Sequence, residues 1–119
     1  MKISYLHKED IIFIDYSGFI TIENGVSNMD IIEKEIRRLS LNKDKIKLLF
    51  DTRNTIWENI ETHNTLSAIS RKKFDQQNFE FKIYTAILNK EFDGSSFEQE
   101  HWFCNKKDAI AWLVEKSWS

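Results

Sequence analysis

The sequence predicts an α/β fold: one domain, a mixed sheet of four to five strands with three helices packed against it, in the order β-β-α-β-α-β-β-α. Three observations predict it. An alternating apolar pattern opens the chain as a hairpin. A long run with helical spacing follows. Two short, nearly continuous apolar runs, "KIKLLF" and "KIYTAIL", then stand on either side of a second helical stretch, as buried strands do.

Taken in order, "KISYLH" alternates Ile3 and Tyr5 against Ser4 and Leu6. "KED" makes a polar turn, and "IIFIDYS" puts Ile12, Ile14 and Tyr16 on one face. This is a hairpin of strands 2–7 and 11–17. Gly18 breaks the pattern and "FIT" is a short extended exit. Ile22, Val26, Met29, Ile32, Ile36 and Leu39 then recur at spacings of three and four, one face of a helix. Thr21 can cap it, and Ser27 with Asp30 offers an alternative start. Gly25 weakens its first turns by about 1 kcal/mol.

Residues 45–50 form a buried strand, and a less regular helix spans 57–74, with Ile60, Ala68, Ile69 and Phe74 as its core contacts. A second buried strand covers 79–89, with Ile83, Thr85 and Ile87 opposite Tyr84, Ala86 and Leu88. "KEFDGSSFEQ" is a loop and "EHWFC" a short edge strand. Asn105 caps the last helix, whose apolar face holds Ala109, Ile110, Trp112 and Leu113, with Val114 at its margin.

Composition narrows the function classes. The 119 residues suffice for a single domain. Apolar residues make up 41% and charged residues 30%, and no apolar run approaches the ~20 residues of a membrane span. The first ten residues lack the apolar stretch of a signal peptide, so a soluble cytoplasmic protein without a transmembrane segment is expected. A net charge of −2 supplies no bulk attraction to nucleic acid. Three isolated glycines cannot build a phosphate loop. The lone Cys104 excludes an intrachain disulfide, and His7, His63 and His101 are scattered over three elements, so neither metal nor cofactor is expected.

The candidate site is "IKLLFDTRNT", residues 46–55, where an apolar run ends in Asp51, Thr52, Arg53 and Asn54. Ligands of α/β folds gather just past the carboxyl ends of such strands. An acceptor carboxylate for phosphoryl transfer needs a second carboxylate to hold a metal, and no "DxD" occurs. Asp51 is therefore read as a strand-end residue that bonds loop N–H groups or pairs with Arg53. Trp57, Phe92, Phe97 and Trp102 join Asp51, Thr52 and Arg53 as candidate contacts for a partner or ligand. The acidic loop 91–100 carries two of these aromatics. Cys104 reads as a buried or edge structural thiol.

"YSGFIT" leading into a helix, "IKLLFDTRNTIWE", "KIYTAIL" and "HWFCNKKDAIAWL" together resemble the STAS-like family of sulphate transporters and sporulation anti-anti-sigma factors. The likeness is to an uncharacterised bacterial branch, whose fold overlaps that of lipid-binding CRAL-TRIO domains. It implies a STAS-like domain over 1–119 that is regulatory and non-enzymatic, with no catalytic residues, and that docks a protein partner or a second copy of itself. Phospho-switching members carry an Asp-Ser-Ser-Gly type turn where this chain reads "DTRNTIWEN", so only Thr52 or Thr55 could accept a phosphate. The alternative is a binder of a small apolar ligand or lipid in a sheet–helix pocket lined by Trp57, Phe74, Tyr84 and Trp102. An enzyme acting through Asp51 or Cys104 ranks third.

Overall fold

The computed structural model describes residues 1–90, 93–97 and 99–116, with the side chains of 95–97 left aside. Strands β1 (Lys2–Leu6) and β2 (Ile11–Asp15) form the hairpin. A short β3 (Gly18–Ile20) leads into α1 (Ile22–Leu39). Then come β4 (Lys45–Asp51), a short β5 (Thr55–Trp57), α2 (Ile60–Lys73), β6 (Lys82–Leu88), β7 (Gly94–Phe97), β8 (Glu100–Phe103) and α3 (Lys106–Glu115). Strands β1, β2, β4, β6 and β8 with the three helices reproduce the expected α/β order.

The main sheet runs β1-β2-β4-β6-β8-β7. Strands β2, β4, β6 and β8 are parallel, and the antiparallel β1 and β7 close the two edges. Part of the expected loop 91–100 is thus strand β7, and β8 is not an edge strand, because β7 pairs along its outer side. Glycine, which is depleted in strands, opens "GSSF" and concealed this strand in the sequence.

Both faces are covered, which is why β4 and β6 read as continuous apolar runs. On one face Ile12, Ile14, Ile46, Leu48 and Ile83 pack against Met29, Ile32 and Ile36 of α1 and Leu66 of α2. On the other, Ile11, Leu49, Tyr84, Ala86, Leu88 and Phe103 meet Ala109 and Leu113 of α3. Each fully buried aliphatic side chain is worth about 1.5–3 kcal/mol relative to exposure. Lys47 is buried on this second face, where Nζ donates to the Glu9 carbonyl at 2.8 Å and burial pushes its pKa down.

Capping sets the helix limits. Thr21 caps α1 reciprocally with Asn24, so the helix starts there and not at Ser27. Asn59 caps α2, so that helix begins at Ile60 and Trp57 belongs to a strand. Of the expected core contacts Phe74 packs against the core, while Ile60, Ala68 and Ile69 are exposed and Thr62 and Leu66 are buried in their place. The apolar residues of that stretch are too irregularly spaced to define one helical face. Leu66 packs directly over Gly25 of α1: a Cβ at Gly25 would lie 2.4 Å from Leu66 Cδ1. The glycine permits close approach of the two helices. Lys73 ties them further through Asp30 and Glu33, so the basic end of α2 does more than complement its dipole. The expected strand 79–89 is shortened at its start, where a single 3₁₀ turn at Gln76–Asn78 precedes the buried Phe79.

Candidate functional site at the carboxyl rim of the sheet

The apolar run of β4 ends at Asp51 because the chain leaves the main sheet there. Thr52 N–H and Oγ1 both donate to the Leu88 carbonyl, at 2.9 and 2.7 Å, and Thr55 N–H closes a turn onto the Thr52 carbonyl. The Asp51 carboxylate accepts from Arg53 N–H at 3.1 Å, Nε at 2.9 Å and Nη2 at 2.8 Å. The Arg53 guanidinium holds the Asp51 carboxyl below the ordinary carboxylate range despite its burial. Asp51 therefore orders its own loop.

Register brings a second carboxylate to its side. Asp15 at the end of β2 is the ladder partner of Asp51, and both point to the α3 face. Adjacent strands can supply what a "DxD" supplies within one strand, and the search for that motif missed Asp15 for this reason. The pair carries compensating charge: Arg53 is bound to Asp51, Asp15 raises the Arg53 pKa further, and Lys106 at the start of α3 adds a positive charge near Asp51. Lys106 Nζ also lies 4.5 Å from the Phe13 ring centroid.

Beyond this rim the same two strands pair again. Strand β3 runs parallel to β5, with Gly18 opposite Thr55, Phe19 opposite Ile56 and Ile20 opposite Trp57. Gly18, at a φ of +108°, turns the first strand into this wing, a conformation that side chains disfavour. Thr55 Oγ1 donates to the Tyr16 carbonyl, and Gly18 N–H to the Asn54 carbonyl at 3.0 Å. The main ladder pairs residue 15 with 51, an offset of 36; the wing pairs 18 with 55, an offset of 37. The turn at Thr52–Asn54 thus holds one residue more than the facing strand, as a bulge does.

That extra residue decides which side chains face out. It reverses the alternation of β5 relative to β4, so Trp57 joins Ile20 against the core and Ile56 joins Phe19 outside. Phe19 is 57% and Ile56 62% exposed, against 3% for Ile20. Glu58, two residues beyond Ile56, is exposed as well. Ile60, the first residue of α2, is 74% exposed. Sequence reasoning missed Phe19 and Ile56 and placed Ile60 in the core. Each of "GFIT" and "TIWE" carries two adjacent apolar residues in an extended segment, of which only one can face the core; assigning 57–74 to a helix hid that signal.

The other candidates are dispersed. Trp57 is half-buried, 6.2 Å from the Tyr16 ring and edge-on to His63 at 4.8 Å. Trp102 is half-buried on β8, in register with Ile87 and on the face opposite Asp51. Phe97 lies in β7, its side chain among those left aside, and Phe92 lies outside the described residues. The Thr52 and Thr55 hydroxyls are both engaged by carbonyls. Cys104 is exposed, not buried, because β8 ends at Phe103. The four residues expected to line one pocket are not together: Trp57 and Phe74 pack on the α1–α2 side and Tyr84 on the α3 side. Two open hollows, of about 400 and 370 Å³, lie instead along α1, beside Asn24 and beside Ile31. Each histidine rests against aromatic rings: His7 on Tyr5, His63 on Trp57, His101 on Phe103 and Trp112. Among the described residues no helix is long and apolar enough to cross a membrane.

No protein-family model, curated protein or solved structure matches the chain.

Proposed function

We propose that the chain is a non-enzymatic regulatory module of STAS-like type that acts by docking a protein partner on the outer face of the β3–β5 wing. The observation that carries this reading is the Phe19–Ile56 pair. Two large apolar side chains stand in register on a face that no helix covers among the described residues, although their neighbours Ile20 and Trp57 show that the same segments can bury apolar surface. Contiguous exposed apolar surface of this kind marks interaction sites, and aromatic anchors dominate such contacts. The Asp51–Arg53 pair supports the reading in a different way: its groups satisfy one another and hold the loop that positions Ile56.

Phe19→Ser with Ile56→Ser tests it. In the cells that make the protein, native mass spectrometry of the parent chain yields a complex with another protein. The double variant, with an unchanged circular dichroism spectrum and melting temperature, yields the chain without it. A complex that survives the double substitution, or a parent chain recovered alone, ends the proposal. Trp57 is unsuited to this test, because its half-buried ring supports the core.

A further inference from the structure

We infer that the partner surface is cationic, apolar side chains surrounded by lysine and arginine, and that it is not a second copy of this chain. The inference rests on the docking reading above and adds the chemistry of the occupant. Residues 16–26 and 54–62, which build and flank the wing, hold Glu23, Glu58 and Glu61 and no lysine or arginine. All three glutamates are exposed. Glu23 and Glu61 sit in the first turns of α1 and α2, where the helix dipoles offset part of their charge. Glu58 precedes the cap of α2 and closes the wing, its N–H donating to the Ile20 carbonyl at 3.0 Å. On the α3 side Arg53 and Lys106 balance Asp51 and Asp15, so that flank is near neutral.

An apolar centre with a one-signed rim sorts partners by charge. A rim of opposite sign speeds encounter, and one of like sign is rejected. Two copies docking through this face about a two-fold axis would bring identical acidic rims together. A cationic partner meets Glu23, Glu58 and Glu61 with complementary charge while Phe19 and Ile56 fill its apolar centre.

The test uses the full chain and two designed amphipathic helices, one of leucine and lysine, the other of leucine and glutamate, followed by amide shifts in NMR spectra. The lysine peptide is expected to shift amides of residues 18–22 and 55–61 and to bind about tenfold or more tighter than the glutamate peptide. Glu58→Lys with Glu61→Lys is expected to reverse that order. Equal binding of both peptides at these amides overturns the cationic inference and leaves the docking reading standing. Shifts elsewhere only, or shifts unaffected by Phe19→Ser with Ile56→Ser, overturn both. Phosphatidylglycerol vesicles binding these amides in preference to the lysine peptide overturn the inference in favour of a membrane surface. Dimerisation of the chain that those two serine substitutions abolish also overturns it.

Discussion

Phe19 stands opposite Ile56 in a parallel ladder, and more than half of each side chain's residue surface stays exposed. The inward residues of the same two strands, Ile20 and Trp57, pack on the core. The two faces of the wing should respond differently to substitution. Phe19→Ser and Ile56→Ser are each expected to change stability by less than about 1 kcal/mol, the range of surface and strand-propensity effects. Trp57→Ala is expected to cost about 2–3 kcal/mol, below the loss for a fully buried ring. Urea denaturation followed by circular dichroism measures all three. A loss above about 2 kcal/mol at Phe19 or Ile56 would show that the ring or chain is packed, and the docking face would go with it.

The one-residue difference between the two ladders makes a second prediction. Deleting Asn54 removes the bulge residue whose carbonyl accepts from Gly18 N–H. The alternation of β5 would then continue that of β4, driving Ile56 toward the core and Trp57 outward. The expected outcome is loss of hydrogen-exchange protection at Glu58, whose N–H donates to the Ile20 carbonyl at 3.0 Å. The amides of β4 and β6 should keep theirs. Protection at Glu58 equal to that of the parent chain would contradict the register argument.

Gly25 and Leu66 provide a packing test. Gly25→Ala gains about 1 kcal/mol in helix propensity but forces a methyl against a 2%-exposed leucine, and overpacking of this kind costs about 1–3 kcal/mol. Net destabilisation of about 1 kcal/mol is expected. Leu66→Ala alone costs about 2–5 kcal/mol. Combining it with Gly25→Ala should restore part of that loss, because the new methyl enters the space vacated. A double-mutant cycle reads the coupling. Strict additivity would mean that the helices adjust their separation freely.

The fold was legible where one rule acted alone. The spacing of Met29, Ile32 and Ile36 set the buried face of α1, and "KIKLLF" and "KIYTAIL" announced two-sided burial. It was hidden where rules competed. Ile60 and Ile69 looked like core residues because the α2 stretch is apolar in places, yet Thr62 and Leu66 face inward. Ile22 and Val26 obey the α1 period but lie 38% and 37% exposed, since Gly25 takes the contact with α2. The role of Asp51 as a loop organiser was readable from Arg53 two residues on. The neighbouring Asp15 was not, because register across a parallel pair depends on a crossover helix and no local pattern reveals it.

The Asp51–Arg53 pair makes the last prediction. The Asp51 carboxyl is held below its unfolded value chiefly by the hydrogen bonds from the Arg53 side chain. For a depressed carboxyl, the stabilisation is complete above the unfolded pKa and is lost as pH falls through the folded one. With an unfolded value of about 3.9, the window therefore lies at and below about pH 4. Asp51→Asn removes the charge and is expected to cost about 1–2 kcal/mol near neutral pH, a figure lowered from that of a buried pair because Arg53 is 36% exposed. The gap between parent and variant should hold steady from neutral pH down to about pH 5 and then close as the parent protonates. In an Arg53→Ala background most of the gap should already be gone. Denaturation curves across this range decide it: a gap that persists into strong acid would place the stabilisation in packing and not in the charge of Asp51.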